Sequence, residues 1–328
     1  MEYRKIIGFG KSSFVISLPK DWVSRHALTK GSTITVSEEN ESIVISPNAL
    51  DMQKQAGETK TIETKGKSEK LLQREIISAY ISGYHTIVIT GDDIKERSKP
   101  LSSSFKNLIA LEIIKHDDTS IIARDFLDVA EIDLKDIIRK IDNNLRSMLI
   151  ETDEMLSALQ ERSIPDEERN ELLRLIQERD DAINKLAFLS FRAIKGMLMN
   201  PSKTRESMIN LFQSWTTVLY IERAGDELKR LFRAMLASEF SADDINGYRE
   251  ALAELSSLYK SIMRIYHDPE RSAHKEKSYK LAEQCRLFQQ KRKELTNGHD
   301  EQHVVVNERL MNFAGYLEEI LRLTYDFL

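Results

Sequence analysis

The chain has 328 residues, enough for two or three cored domains. Hydrophobic residues make up 41% and charged residues 31%, with only 12 glycines and 6 prolines; this is the balance of a largely helical globular protein, not a disordered or fibrous one. No apolar run approaches the roughly 20 residues that span a bilayer, residues 1–11 read as strand-forming rather than secretory, and the single Cys285 excludes an internal disulfide or a cysteine-rich metal site. A cytoplasmic protein without membrane insertion is therefore expected. The net charge of -5 is uneven: residues 1–47 carry six basic and five acidic groups, whereas residues 127–328 carry 30 and 36. Nucleic-acid binding by the first segment would have to come from geometry rather than bulk charge.

In chain order, residues 1–47 read as β-rich. Tyr3 to Ile7 is a short strand closed by Gly8 and Gly10. Ser13 to Leu18 places Phe14, Ile16 and Leu18 on one face at period two. Pro19 suits the first helical turn, where its missing N–H costs nothing, and Lys20 to Ala27 allows two turns. Gly31 precedes a strand at Thr33–Val36. Asn40 marks a turn before a strand at Ser42–Ile45, and Pro47 ends the module. Four strands and one short helix in so few residues bury little surface, which argues for pairing with a second chain.

Residues 48–127 form a small α+β unit with βαβ character. After a polar stretch over 51–67, containing a possible strand at 59–64, a helix is expected over Glu69–Ser82 through Leu72, Ile76 and Ala79. Thr86–Thr90 is a strand ended by Gly91. A second helix is expected over 101–111, then strands at 111–115 and 120–124 around the His116-Asp117-Asp118 turn. From about Asp128 every segment is helical. Breaks at 163–165, 200–202, Ser241, 268–269 and 297–298 divide it into six helices, with Ser163 and Ser202 as cap or pre-cap residues ahead of acidic first turns. Six helices in two sets of three point to a duplicated three-helix unit.

Two stretches carry a family resemblance. Arg4-Lys5-Ile6, Gly10-Lys11-Ser12-Ser13, Ile16-Ser17-Leu18-Pro19-Lys20-Asp21-Trp22 and Leu28-Thr29-Lys30-Gly31-Ser32 together resemble the AbrB-type swapped-hairpin domain. That resemblance implies two chains exchanging hairpins into one barrel, with DNA contacts from the first hairpin in many members. Residues 128–328 resemble the PhoU regulators, which are duplicated three-helix bundles with acidic motifs that can bind metal clusters. Glu222-Arg223-Ala224-Gly225-Asp226 fits one motif. Asp180-Asp181-Ala182-Ile183-Asn184 fits its neighbour, with Asn184 where an Asp is usual. Glu308 to Asn312 again ends in Asn, and the fifth helix, around 279–287, has no clear equivalent. The combination resembles archaeal phosphate-uptake regulators. The implied fold class is α+β multidomain: a small swapped-hairpin β-barrel head, a small α+β middle unit, and an all-α bundle of two three-helix units.

Glu222 and Asp226 are four residues apart on one helix face, flanking the apolar stripe of Leu211, Trp215, Val218, Ile221, Leu228 and Phe232. Together with Asp180 and Asn184 they are the candidate ligands for a divalent or iron-type metal. The bland alternative is a salt-bridged face in which Arg223 pairs with Glu227 and Arg230 with Asp226. For DNA the candidates are Arg4, Lys5, Lys11, Ser12, Lys20 and Arg25, doubled in a two-fold dimer. The histidines (His26, His116, His267, His274, His299, His303) fall near turns or helix ends and define no site; Trp22 and Trp215 read as core anchors. Neither a Gly-rich phosphate loop nor a nucleophile elbow is present. The expected function is a non-enzymatic, dimeric regulator of phosphate uptake, binding DNA through the head and docking on transporter or signalling components through the bundle. A pure adaptor that only dimerises through its head is the first rival. A di-metal carboxylate enzyme is the second, although helices two, three, five and six lack the Glu-x-x-His pairs it would need.

Overall fold

The structure is a computed structural model that describes residues 3–10, 13–39, 42–47, 58–199, 205–296 and 300–326. It comprises two compact units, Met1–Gly57 and Glu58–Leu328.

The first unit holds two antiparallel hairpins and a short helix: β1 (Ile7–Phe9) with β2 (Ser13–Val15), α1 (Lys20–Arg25), and β3 (Thr35–Glu39) with β4 (Ser42–Ser46). Each hairpin is its own two-stranded sheet. Gly10, at φ +71°, turns the first, and Gly31, at φ +93°, turns the chain after the helix. The first hairpin is shorter than the sequence pattern predicts. Pairing stops at Ile7 and Val15, so Tyr3–Ile6 and Ile16–Leu18 carry strand-type residues with no ladder partner. β-propensity alone does not make a strand where no second strand lies alongside.

The second unit opens with an α/β layer. β5 (Thr59–Glu63) and β6 (Thr86–Thr90) are parallel, joined by the crossover helix α2 (Glu69–Ile81). After α3 (Ser98–Lys106) come β7 (Leu111–His116) and β8 (Ser120–Asp125), giving the sheet order β5-β6-β8-β7. The register sets Ile62, Ile89 and Ile121 side by side, and Ile87 beside Ala123. This face is buried with Leu72, Ile76 and Tyr80 of α2 and Leu101 and Phe105 of α3. Gly91 is required where it stands: a Cβ there would lie 1.8 Å from the Thr64 hydroxyl. α3 sits earlier than the apolar pattern of 101–111 predicts. Ala110 takes a left-handed turn at φ +61° so that Leu111 can enter β7 and pair with β8; strand pairing overrides local helical periodicity there.

Six long helices follow: α4 (Leu134–Glu161), α5 (Asp166–Leu198), α6 (Arg205–Ala237), α7 (Ala242–His267), α8 (Lys275–Thr296) and α9 (Glu301–Asp326). Asp133 caps α4, and Ser241 with Asp244 forms a reciprocal capping box on α7. Pro165, not Ser163, occupies the cap position of α5, ahead of Asp166, Glu167 and Glu168. The breaks at 200–202 and 297–298, with Ser202, lie outside the described residues. Helices α4, α5 and α6 pack on one another, as do α7, α8 and α9; α4 also meets α7, and α6 meets α9. Exchanging the first trio for the second leaves this scheme unchanged.

The α/β layer is pinned to the bundle by one buried cation. Arg192 of α5 donates to the Asp125 carboxylate at the end of β8 and to the Tyr80 carbonyl of α2, and lies 4.8 Å over the Tyr80 ring. Burial pushes the Asp125 carboxyl up, against the pull of Arg192. Phe188 and Ile81 border both apolar cores beside it. Removing one partner of a buried pair strands the other in low dielectric. Arg192→Met is therefore expected to lose about 3–5 kcal/mol in urea unfolding, and adding Asp125→Asn should return part of that loss.

Candidate functional site

In the head, local sequence puts its basic residues around the open end of the first hairpin. Arg4 and Lys5 precede β1, and the Arg4 guanidinium reaches the Ser17 hydroxyl at 3.4 Å across from it. Lys20 opens α1 and Arg25 closes it. All four side chains are exposed. Lys11 and Ser12 lie outside the described residues. Trp22 is half-buried, packed against the His26 ring at 5.1 Å, and anchors the helix rather than a large core.

The same hairpins expose their apolar faces. Phe9 is 71% exposed, Phe14 79% and Ile43 69%; Tyr3, Ile6, Ile7 and Val36 are also exposed. Among the residues of this unit whose side chains are described none is buried. Isolated two-stranded hairpins are marginal in water and leave unpaired edges. Exposed apolar surface of this kind marks an interaction site.

In the bundle, the structure brings the four acidic-motif residues together. Asp180 and Asn184 lie one turn apart on α5, and Glu222 and Asp226 one turn apart on α6. The Asn184 side chain donates to Asp180 at 3.1 Å. Between the two helices stands a residue that the motif reading passed over. Lys229 Nζ lies 2.6 Å from Asp180 and 2.9 Å from Asp226. The signal for it was in the sequence, since positions 222, 226 and 229 share one helix face at i, i+4 and i+7. Although burial disfavours its charge, the two carboxylates hold the Lys229 ammonium above its ordinary range. As arranged, these oxygens surround an ammonium rather than a metal position. Among the described residues no group of three or more His, Cys, Asp or Glu is placed to hold a metal.

The salt-bridged face expected on α6 is wired differently from the local pairing Arg223–Glu227. Glu227 is buried, not solvated. It accepts from Arg230 at 2.6 Å, from Arg309 of α9 at 3.1 Å and from Asn312 at 3.4 Å. Arg230 also meets Asp226 at 3.5 Å, as expected. Glu308, of the second motif, is exposed. Three histidines expected to be solvated are engaged instead: His267 lies 3.3 Å from buried Asp142, His274 lies 2.8 Å from Asp268, and His303 bridges Asp300 at 2.7 Å and Asp244 at 3.4 Å. Helix packing brings Asp142 and Asp244 to two of them from far along the chain, which local pattern cannot reveal. His299 lies outside the described residues.

Burial, and then the Asp226 and Asp180 charges, push the Glu222 carboxyl up to about 7. A raised carboxyl pKa favours the protonated fold, so the penalty grows as pH rises from about 4.5 through about 7 and is complete above that. Glu222→Gln should thus be about as stable as the parent near pH 4.5 and more stable by on the order of 2 kcal/mol at pH 8, measured by denaturant unfolding across that range.

Compared with known proteins, residues 9–51 match the family model described as antidote-toxin recognition MazE, bacterial antitoxin. The match covers the AbrB-like head and stops before the second unit. No curated protein and no solved structure matches the chain. Among the described residues no helix is long and apolar enough to cross a membrane.

Proposed function

We propose that this chain is a dimeric, non-enzymatic regulator that binds DNA through its AbrB-like head, and that its helical body senses or docks in the control of phosphate uptake. The observation that carries the reading is the head itself. Its apolar residues have no cover within their own unit, and it matches the MazE antitoxin model over 9–51. A second copy is the natural cover, through exchanged hairpins whose unpaired segments 3–6 and 16–18 would gain ladder partners. In a two-fold dimer Arg4, Lys5, Lys20 and Arg25 appear twice on one molecule, as do Lys11 and Ser12. That array suits phosphate contacts. The phosphate-uptake assignment rests on the PhoU resemblance of residues 128–328. With it go a cytoplasmic location and a transporter or signalling component as the docking partner.

The near balance of charge in the head, six basic against five acidic residues over 1–47, favours a second reading. There the head only dimerises, and the acidic bundle does the docking. Gel shifts of the full chain on duplex DNA separate the two. The regulator reading expects binding at low salt whose affinity falls steeply as salt rises. Replacing Arg4 and Lys11 together by Ala should flatten the log–log slope by about 0.9 for each phosphate that is no longer neutralised. Absence of binding at low salt, or a slope unmoved by the double substitution, would leave the adaptor.

A further inference from the structure

We infer that Lys229 supplies the cation of the bundle's acidic cluster from within the chain, so that no divalent metal binds there.

The argument begins with position. Asp180 belongs to α5 and Asp226 to α6, so a group touching both ties two helices together, as a bridging metal would. Lys229 does so at hydrogen-bonding distance from both, with its side chain 13% exposed and that of Asp180 4% exposed. An ammonium so placed satisfies the two carboxylates and blocks the space between them. A second cation entering would meet Lys229 at contact, where like charges repel most strongly in a medium of low dielectric.

Charge balance adds to this. Asp180, Lys229, Asp226, Arg230, Glu227 and Arg309 form one alternating chain of ion pairs running from α5 through α6 to α9. Three carboxylates face three cations, so the chain is neutral as it stands and a divalent ion would unbalance it. The run also crosses from the first helix trio to the second. At the second motif Asn312 reaches back to Glu227 and extends the same network.

Metal analysis and thermal unfolding of the full chain test the inference, whether or not the head binds DNA. The parent protein should purify without stoichiometric metal, and Mn2+ should leave its Tm where EDTA does. Lys229→Gln should melt lower than the parent, and Lys229→Arg, which keeps the cation, should recover part of the loss. The inference is overturned if the parent carries about one metal ion per chain that Asp180→Asn removes, if Mn2+ raises the parent's Tm, or if Lys229→Gln melts no lower than the parent.

Discussion

The exposed apolar residues of the two head hairpins have no cover within their own unit, and the proposed dimer rests on that constraint. Phe9, Phe14, Val36 and Ile43 lie exposed on strands of three to five residues, in a unit where no side chain that is described is buried. Burying a Phe or Ile side chain is worth about 1.5–3 kcal/mol, while ordering each residue costs about 1–2 kcal/mol in backbone entropy. A head that leaves these groups in water has little to set against that entropy. In the proposed dimer, association would supply what the single chain lacks and would double the basic residues at the hairpin bases.

The second unit solves its own folding problem differently. Its cores are extensive, and its distinctive features are buried charges that join elements distant in sequence. Arg192 holds the α/β layer to α5 through Asp125 and Tyr80. The ion-pair chain centred on Lys229 and Glu227 joins α5, α6 and α9. Buried pairs of this kind contribute little net stability, because desolvation offsets their attraction. Breaking one is costly, and for that reason they fix which helix lies against which. Glu222, beside the chain but outside its balance, bears the consequence as a carboxyl that keeps its proton up to about pH 7.

Much of this was legible in the sequence where local rules govern. The alternation in Thr86–Thr90 gave a strand, Ser163-Ile164-Pro165 and Asp268-Pro269 gave helix ends, and the spacing of Glu222 and Asp226 gave a shared face. Residues whose role is set by tertiary contacts were not legible. Arg192 and Asp125 are 67 positions apart, and nothing near either one announces a buried pair. Lys229 could be placed on the right face of α6, but its reach to Asp180 depends on how α5 is rotated against it. The left-handed turn at Ala110 was hidden because the apolar run around it fits a helix until β8 claims Leu111. The sheet order, with β8 between β6 and β7, likewise follows from pairing and not from pattern.

Sedimentation equilibrium of the full chain at micromolar concentration, paired with hydrogen exchange of residues 3–46, tests the central claim most directly. The account predicts a dimer with protected head amides, and predicts that Phe14→Glu yields a monomer whose head amides exchange freely while the helical unit stays protected. A parent chain that sediments as a monomer yet keeps its head amides protected would contradict it.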